Sequence, residues 1–378
     1  MPNKKILLVG DGNHQFIINL AIWLRKEKKE CYQIDVLSFT DLKKENEKIY
    51  AKSYGIKSLG FFNKIKGLRT YYRFYLYKKL FKTLPEYDIV NFHYISLDSY
   101  FWTDLFKKKT KADIILSIWG SDLYRLKKNN YNNFLKTCQK ADKISFTNEK
   151  ALDYFKEKYS WKKNNIFTLR FGLAPLEELK KINLSKIECK EKLNWNKNKY
   201  AIVIGYNLSP YQQHLEILKA LNTQKLNELK NDIQLIIPIT YGGTLKYKEE
   251  LIKKLKESSF EFKVYDTFLT DREIAYIRKA ADIMLQLQTT DQFSGSMQEH
   301  MFANNIVITG SWLPYETLKN QGVWFIDINK ISELAEVLPN TILNYGELDT
   351  KTIGNAVVIE NLSAWGANIK MWITLYSS

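Results

Sequence analysis

The chain is predicted to be an α/β protein built as two successive doubly wound halves, and three observations predict it. Short apolar runs alternate with longer amphipathic stretches, the pattern of parallel strands linked by helices. The same pattern restarts after residue 195. At 378 residues the chain also exceeds what one ordinary hydrophobic core organises.

Taken in order, "KKILLVGDG" is a buried strand running into glycine, followed by the helical "HQFIINLAIWLRKEKKE" and a second strand, "QIDVLSF". A third strand, "YDIVNFHY", leads to the helix "SYFWTDLFKKKT", and a fourth, "ADIILSIWG", to the helix "YNNFLKTCQKA". "KISFTNEKALDYFKEKY" supplies one more strand and helix. A polar stretch near residues 172–198, with Pro175 and a weak pattern, is the expected seam. Beyond it, "KYAIVIGYN", "DIQLIIPITYGG", "FEFKVYD", "DIMLQLQ" and "IVITG" are strands. The helices between them are "YQQHLEILKALN", "KYKEELIKKLKE", "REIAYIRKAA" and "SMQEHMFANN". "ENLSAWGANIKMWITLY" closes the chain as one amphipathic helix.

Composition narrows the function classes. Hydrophobic content of 45% and charged content of 26% belong to a folded protein and exclude a disordered one. A net charge of +16 implies attraction to something anionic: a phosphorylated substrate, an acidic lipid surface or nucleic acid. Part of that excess is a general Lys-rich habit. Cys31, Cys138 and Cys189 show neither metal spacing nor pairing logic, which fits a reducing cytoplasm. The N-terminal apolar run is too short for a signal peptide, and nothing approaches the roughly 20 apolar residues of a membrane-spanning helix. A soluble or peripheral cytoplasmic protein is expected.

Segment 61–83 interleaves aromatics with Lys and Arg and contains no acid. A basic helix packing its rings on the sheet would explain it. So would an interfacial helix, with rings such as Phe61, Phe62, Tyr71, Tyr72 and Tyr75 in the headgroups and Lys64, Lys66, Arg69 and Arg73 against acidic lipid. Such interleaving also suits single-stranded nucleic acid, but no OB, RRM or KH signature accompanies it, which weighs against that partner.

In open α/β sheets ligands bind beyond the carboxyl ends of the strands. Gly12, in the Gly10–Asn13 loop, follows the first strand, where amides at a helix start can meet an anion or simply form a turn. The loop is not a GxGxxG dinucleotide fingerprint. His93 ends the third strand and Asp122 follows the fourth; a packed histidine and a helix cap are the plainer explanations, hydrogen bonding or proton transfer the functional ones. The richest stretch is "TTDQFSGSMQEHMF". Its turn lies between a strand's carboxyl end and a helix N-terminus, so the amides and hydroxyls of Ser294, Gly295 and Ser296 can face a diphosphate. Asp291, beside Phe293 at the start of the turn, suits the hydroxyls of a sugar. Glu299, one turn into the helix, suits those of a ribose.

The Asp291–Glu299 spacing resembles the E-x7-E signature of group 1 GT-B glycosyltransferases, with Asp in place of the first Glu. "SIWGSDL" is similar to that group's "HGSDL" segment, with Trp119 where His is often found, and "NFHYIS" to its "VHAHW"-type strand end. "FGLAP" sits where those enzymes enter the second domain. "GYNLSPYQQHLEILKAL" followed by "IIPITYGG" also looks like the bacterial 4-acetamido-4,6-dideoxygalactose transferases, which act on lipid-linked intermediates.

The resemblance covers nearly the whole chain and implies a GT-B fold of two Rossmann-like domains facing across a cleft. It implies an acceptor domain at 1–180, a nucleotide-sugar domain at 181–358 and a helix at 359–378 returning to the first. Asn207, Ser209, His214 and Arg170 would then meet the diphosphate, and Tyr241 and Gly242 would stand beside the base. The family's Arg and Lys after the first strand of the second domain are missing here. No DxD-type motif is present, so neither metal nor cofactor is expected beyond the donor itself. The implied function is sugar transfer from a nucleotide-diphosphate sugar to a glycan or lipid-linked acceptor, on the inner face of the cytoplasmic membrane, in surface polysaccharide or lipopolysaccharide synthesis. The acid pair implies retention of configuration, the preferred outcome, whereas the deoxyhexosamine-transferase likeness implies inversion. A sugar-nucleotide epimerase on the same fold, and a basic nucleic-acid-binding protein, are the alternatives.

Overall fold

The computed structural model of the protein describes residues 4–27, 31–55, 68–291 and 293–377, with the backbone alone at 68–70. The chain divides into two compact units. The first holds Met1–Gly172 and Asn368–Ser378, the second Leu173–Ala367.

Seven parallel strands form the first unit's sheet: β1 (Lys4–Gly10), β2 (Tyr32–Ser38), β3 (Ser53–Gly55), β4 (Ile89–His93), β5 (Asp113–Ile118), β6 (Lys143–Phe146) and β7 (Ile166–Thr168). Their order is β3-β2-β1-β4-β5-β6-β7. Branched apolar residues fill β1, β4 and β5, because helices cover both faces of a parallel sheet and leave no side for water. Leu7, Val90, Phe92, Leu116 and Phe146 meet Trp102, Phe106 and Phe134 in one buried cluster. The strand order reverses at β1 and β4, which opens a crevice beyond their carboxyl ends.

The second unit repeats the plan with β8 (Tyr200–Ile204), β9 (Ile233–Pro238), β10 (Glu261–Tyr265), β11 (Ile283–Gln286), β12 (Ile306–Gly310) and β13 (Ile326–Ile328). These run in the order β10-β9-β8-β11-β12-β13, all parallel, so the reversal lies between β8 and β11. Ile202, Ile204, Leu235, Ile237, Leu285 and Ile308 build the central core.

Three strands lay outside the sequence expectation: β3, β7 and β13, each of three residues at a sheet edge. The strand expected as the third is therefore β4. The seam holds two short helices, Ala174–Leu179, with Pro175 in its first turn, and Lys186–Lys192, started by a Ser185–Glu188 capping box. The closing helix is two helices, Asn355–Ser363 and Trp365–Ser377, because Ala364 takes an extended conformation between them. Its last residues belong to the first unit and pack on it. Asn91 donates to the Tyr376 hydroxyl at 2.6 Å, and the Nζ of Lys4 and of Lys143 donate to the carbonyls of Tyr376 and Leu375.

Candidate functional site

In the second unit, four loops meet beyond the carboxyl ends of β8, β9, β11 and β12. The loop after β8 turns at Gly205, whose φ of +62° admits glycine readily and other residues only with strain. A Cβ there would lie 2.8 Å from Gln212 Oε1 and 3.1 Å from His214 Nε2. The expected loop residues are present: Ser209 N–H donates to Asn207 Oδ1, and Asn207 borders Gly242 of the loop after β9. Leu208 N–H donates to the Tyr241 carbonyl, which ties the two loops together. Tyr241 itself is exposed. His214 lies beneath Gly205, fully buried, with Nδ1 3.4 Å from the Tyr247 hydroxyl and no partner for Nε2 among the described residues. Burial pulls its imidazole down to about 4, so it is neutral at physiological pH.

The loop after β11 carries groups that sequence reasoning missed. Gln288 Oε1 accepts from Gln212 Nε2 at 2.8 Å and from the Tyr206 hydroxyl at 3.3 Å. Tyr315, in the loop after β12, donates its hydroxyl proton to Asp291 and accepts from Gln286 Nε2 at 3.3 Å. Trp312 Nε1 donates to the Gln288 carbonyl at 2.9 Å. Gln286 and Gln288 could have been found, since amides at and just past the end of an otherwise apolar strand are buried only where hydrogen-bond partners meet them. Tyr206, Tyr315 and Trp312 gave no such sign.

Asp291, Phe293, Ser294, Gly295, Ser296 and Glu299 stand in the expected order at the mouth of the helix Gly295–Phe302. Ser294 caps the helix by accepting from Met297 N–H at 3.2 Å. The Ser296 hydroxyl is buried and without a partner among the described residues. Glu299 is not an open carboxylate. Its Oε2 pairs with Arg278 Nε at 3.0 Å, both side chains buried, an ion pair that the sequence pattern did not disclose.

The first unit has its own group at the ends of β1, β4 and β5. Gly12 turns inward: its N–H donates to Ser38 Oγ and its carbonyl accepts from the Tyr50 hydroxyl, so this amide is committed within the loop rather than open to a donor. His93 is buried with both ring nitrogens unpartnered among the described residues. The rings of Trp119, Phe171 and Trp372 surround it at about 6 Å. Burial, reinforced by His14, pulls His93 down to about 3, so the ring is neutral and a weak base.

Asp122 is also buried, and burial raises it to about 6 although backbone amides oppose the shift. Its carboxylate accepts from the N–H groups of Ile95, Trp119 and Gly120, which braces the loops after β4 and β5. Two neighbours were missed. His14 packs on Trp119 at 4.4 Å, and Tyr94 holds φ at +60°, a strained value at a strand end. Arg170 belongs to this unit as well, where its carbonyl accepts from Trp372 Nε1 and burial lowers its guanidinium.

Of the expected basic contacts, Lys64 and Lys66 lie outside the described residues, as does the Arg69 side chain. The helix Leu68–Phe81 turns Phe74 onto Phe101, Tyr77 and Phe81 onto Trp102, and Tyr77's hydroxyl onto Asp98 at 3.0 Å. Arg73 faces Asp98 too, at 3.3 Å, and Tyr72 is half-buried; both are thus partly withdrawn from any partner. Tyr71, Tyr75, Lys78, Lys79 and Lys82 face outward. Among the described residues no helix is long and apolar enough to cross a membrane. No group of three or more His, Cys, Asp or Glu among them could hold a metal ion.

Residues 5–148 match the family model described as glycosyl transferase 4-like. No curated protein matches the chain. Among solved structures, a glycosyltransferase from Rickettsia africae is similar at TM-score 0.74 and 16% identity, covering 100% of this chain and 98% of that one. HepE from Anabaena, solved with UDP and glucose, is similar at TM-score 0.71 and 13% identity over 100% of both chains. The sucrose-phosphate synthase of Thermosynechococcus elongatus is similar at TM-score 0.71 and 11% identity, covering 99% of this chain and 98% of that one. Two parallel α/β units in this order, matched end to end by such structures, give the chain the GT-B fold expected from its resemblance to group 1 glycosyltransferases, with the glycosyl transferase 4-like pattern in its first unit.

Proposed function

We propose that the protein is a retaining glycosyltransferase that moves a sugar from a nucleoside-diphosphate sugar to a glycan or lipid-linked acceptor. The observation that carries this is the β8/β11 crevice, where Asp291, the unpartnered Ser296 hydroxyl and the start of a helix converge. The complexes of the HepE structures with UDP and with UDP-glucose support a donor of this class. Departure of the nucleoside diphosphate builds negative charge on its β-phosphate. Amides at Gly295 and Ser296, with the helix dipole behind them, would stabilise that charge more in the transition state than in the ground state. The oxygens of Asp291 would accept from hydroxyls of the transferred sugar and hold its anomeric carbon. Glu299 would offer its remaining oxygen to the ribose.

On the acceptor side we assign His93 to hydrogen bonding and not to proton transfer, because a neutral ring with its pKa near 3 takes up a proton poorly. We further propose that the enzyme works as a peripheral protein on the inner face of a bacterial cytoplasmic membrane, building a surface polysaccharide or lipopolysaccharide-type glycan. The outward Tyr71, Tyr75, Lys78, Lys79 and Lys82 support docking on acidic lipid, at about 1 kcal/mol per Lys.

A thermal-shift screen against a panel of nucleotide sugars, followed by transfer assays with the stabilising donor, tests the reading. A donor consumed without any acceptor would point instead to an epimerase-type enzyme, and no stabilisation by any nucleotide would refute the transferase. The configuration of the product's anomeric carbon decides retention. Turnover is expected to persist in EDTA. Co-sedimentation with anionic liposomes at low salt tests docking, with charge reversal at Lys78, Lys79 and Lys82 expected to abolish it.

A further inference from the structure

We infer that Tyr315 is a positioning residue for the sugar-binding carboxylate of Asp291, an inference that rests on the function proposed above. Tyr315 is 1% exposed, and its ring packs among Met297, Met301, Leu313 and Leu318. Its hydroxyl sits between two partners: it accepts from Gln286 Nε2 and donates its single proton to Asp291 Oδ2. A phenol has one proton to give, so the incoming amide fixes which way it points. Burial first, then the charge of Asp291, raises the Tyr315 pKa far above the usual tyrosine range, and the hydroxyl remains a donor at any working pH.

The rest of the loop after β12 holds the Tyr315 hydroxyl in place. Gly310 leaves room for the Trp312 indole, which a Cβ would meet at 2.3 Å. Trp312 in turn donates to the Gln288 carbonyl, and Leu313 N–H donates to the Gly310 carbonyl. Residues 310–315 thus form a rigid bracket hydrogen-bonded at two points to the segment that carries Asp291. A carboxylate on a loop otherwise rotates about two torsions; one oxygen fixed by Tyr315 restricts that rotation and so sets the orientation of the group.

The test compares Tyr315→Phe, which keeps the ring and removes the hydrogen bond, with the unaltered protein. The Asp291 carboxyl resonance, assigned through Asp291→Asn in carbon-13-labelled protein, should titrate at higher pH in Tyr315→Phe, because a hydrogen bond to the charged form has gone. With UDP-glucose as the probe donor, kcat should fall about tenfold to a hundredfold while donor KM stays within about twofold, the range for a charge-assisted bond made at the transition state. Tyr315→Phe combined with Asp291→Asn should be no slower than Asp291→Asn alone. A purely structural tyrosine would lower stability and leave the Asp291 titration where it was, and that result overturns the inference. A shifted titration in a protein that no nucleotide sugar stabilises would instead refute the transferase reading, and with it the catalytic role.

Discussion

Glu299 is the residue on which the expected function and the fold compete, and the competition fixes how it can be tested. Its partner Arg278 is 3.0 Å away, with side chains 9% and 6% exposed. At an effective dielectric of 20 that separation gives an attraction of about 5 kcal/mol, offset by a desolvation cost of several kcal/mol for each ion. The intact pair therefore contributes little net stability. Removal of one member is another matter, because it strands the other charge, at a cost of about 3–5 kcal/mol. Glu299→Ala should accordingly loosen the second unit whatever the residue does for a ligand. Hydrogen exchange followed peptide by peptide should show faster opening of the helices Asp271–Ala280 and Gly295–Phe302, with most of the loss recovered in Glu299→Ala combined with Arg278→Met. The ribose role is then read from Glu299→Gln, which keeps the shape and an acceptor oxygen for Arg278. Donor affinity by calorimetry should weaken by roughly 1.5–3 kcal/mol. Unchanged exchange in Glu299→Ala would refute the stranded-charge account, and unchanged donor affinity in a folded Glu299→Gln would remove Glu299 from the ribose.

The remaining predictions are these. His93 has its folded pKa depressed from 6.5 to about 3, so its contribution to stability is present above pH 6.5 and is lost as pH falls toward 3. Over that window His93→Phe should flatten the dependence of the unfolding free energy on pH by about 1.4 kcal/mol per unit, measured by urea titration at several pH values. An unaltered slope would place that titration elsewhere. Asp122 has the opposite sense: raised from 3.8 to about 6, it favours the fold below 3.8 and loses that advantage as pH rises through 6. Asp122→Asn should therefore remove this pH dependence between 3.8 and 6, although its NH2 then faces one of the N–H groups that the carboxylate accepts from. Turnover in the folded variant should be spared; a large fall in kcat would restore it to catalysis. Gly205→Ala forces a Cβ onto Gln212 at a positive φ, and should cost about 1–2 kcal/mol of stability together with donor binding, both seen in a thermal shift.

Period and punctuation made most of the fold legible. β4, β5, β8, β9 and β11 are largely apolar runs of the kind that two-sided burial in a parallel sheet rewards, and β8 stops at Gly205. The three-residue edge strands escaped because one turn of alternation cannot be told from loop. The break at Ala364 escaped because a single extended residue leaves the helical spacing of its neighbours nearly intact. At the site, the order Asp291, Ser294, Ser296, Glu299 was legible because one turn and one helix carry it. What pairs with it was not. Arg278 and Tyr315 reach those residues from other helices and loops through the fold alone, and a cation inside "REIAYIRKAA" looks like any solvated Lys or Arg. His93 and Asp122 do stand at and just past the ends of β4 and β5, as their spacing indicated, but placement says nothing about whether a polar group faces a ligand or braces its neighbours.

The return of residues 368–377 to the first sheet bears on how the protein comes into being. Asn91 meets Tyr376 across 285 positions of sequence, and Lys4 meets the same residue across 372. A ribosome releases β1 to β7 long before it releases the helix that packs on them. Until then His93, Phe171 and Asn91 lack the Trp372 and Tyr376 rings that cover them, and the nascent first unit carries an apolar notch with an unsatisfied amide at its floor. Loop closure over such a span is slow relative to the local assembly of a βαβ unit. The second unit, continuous from Leu173 to Ala367, has no such dependence and can reach its final packing first. Exposed apolar surface of that kind is what makes incompletely folded domains prone to aggregate, so the last eleven residues govern how long the first unit stays in that condition.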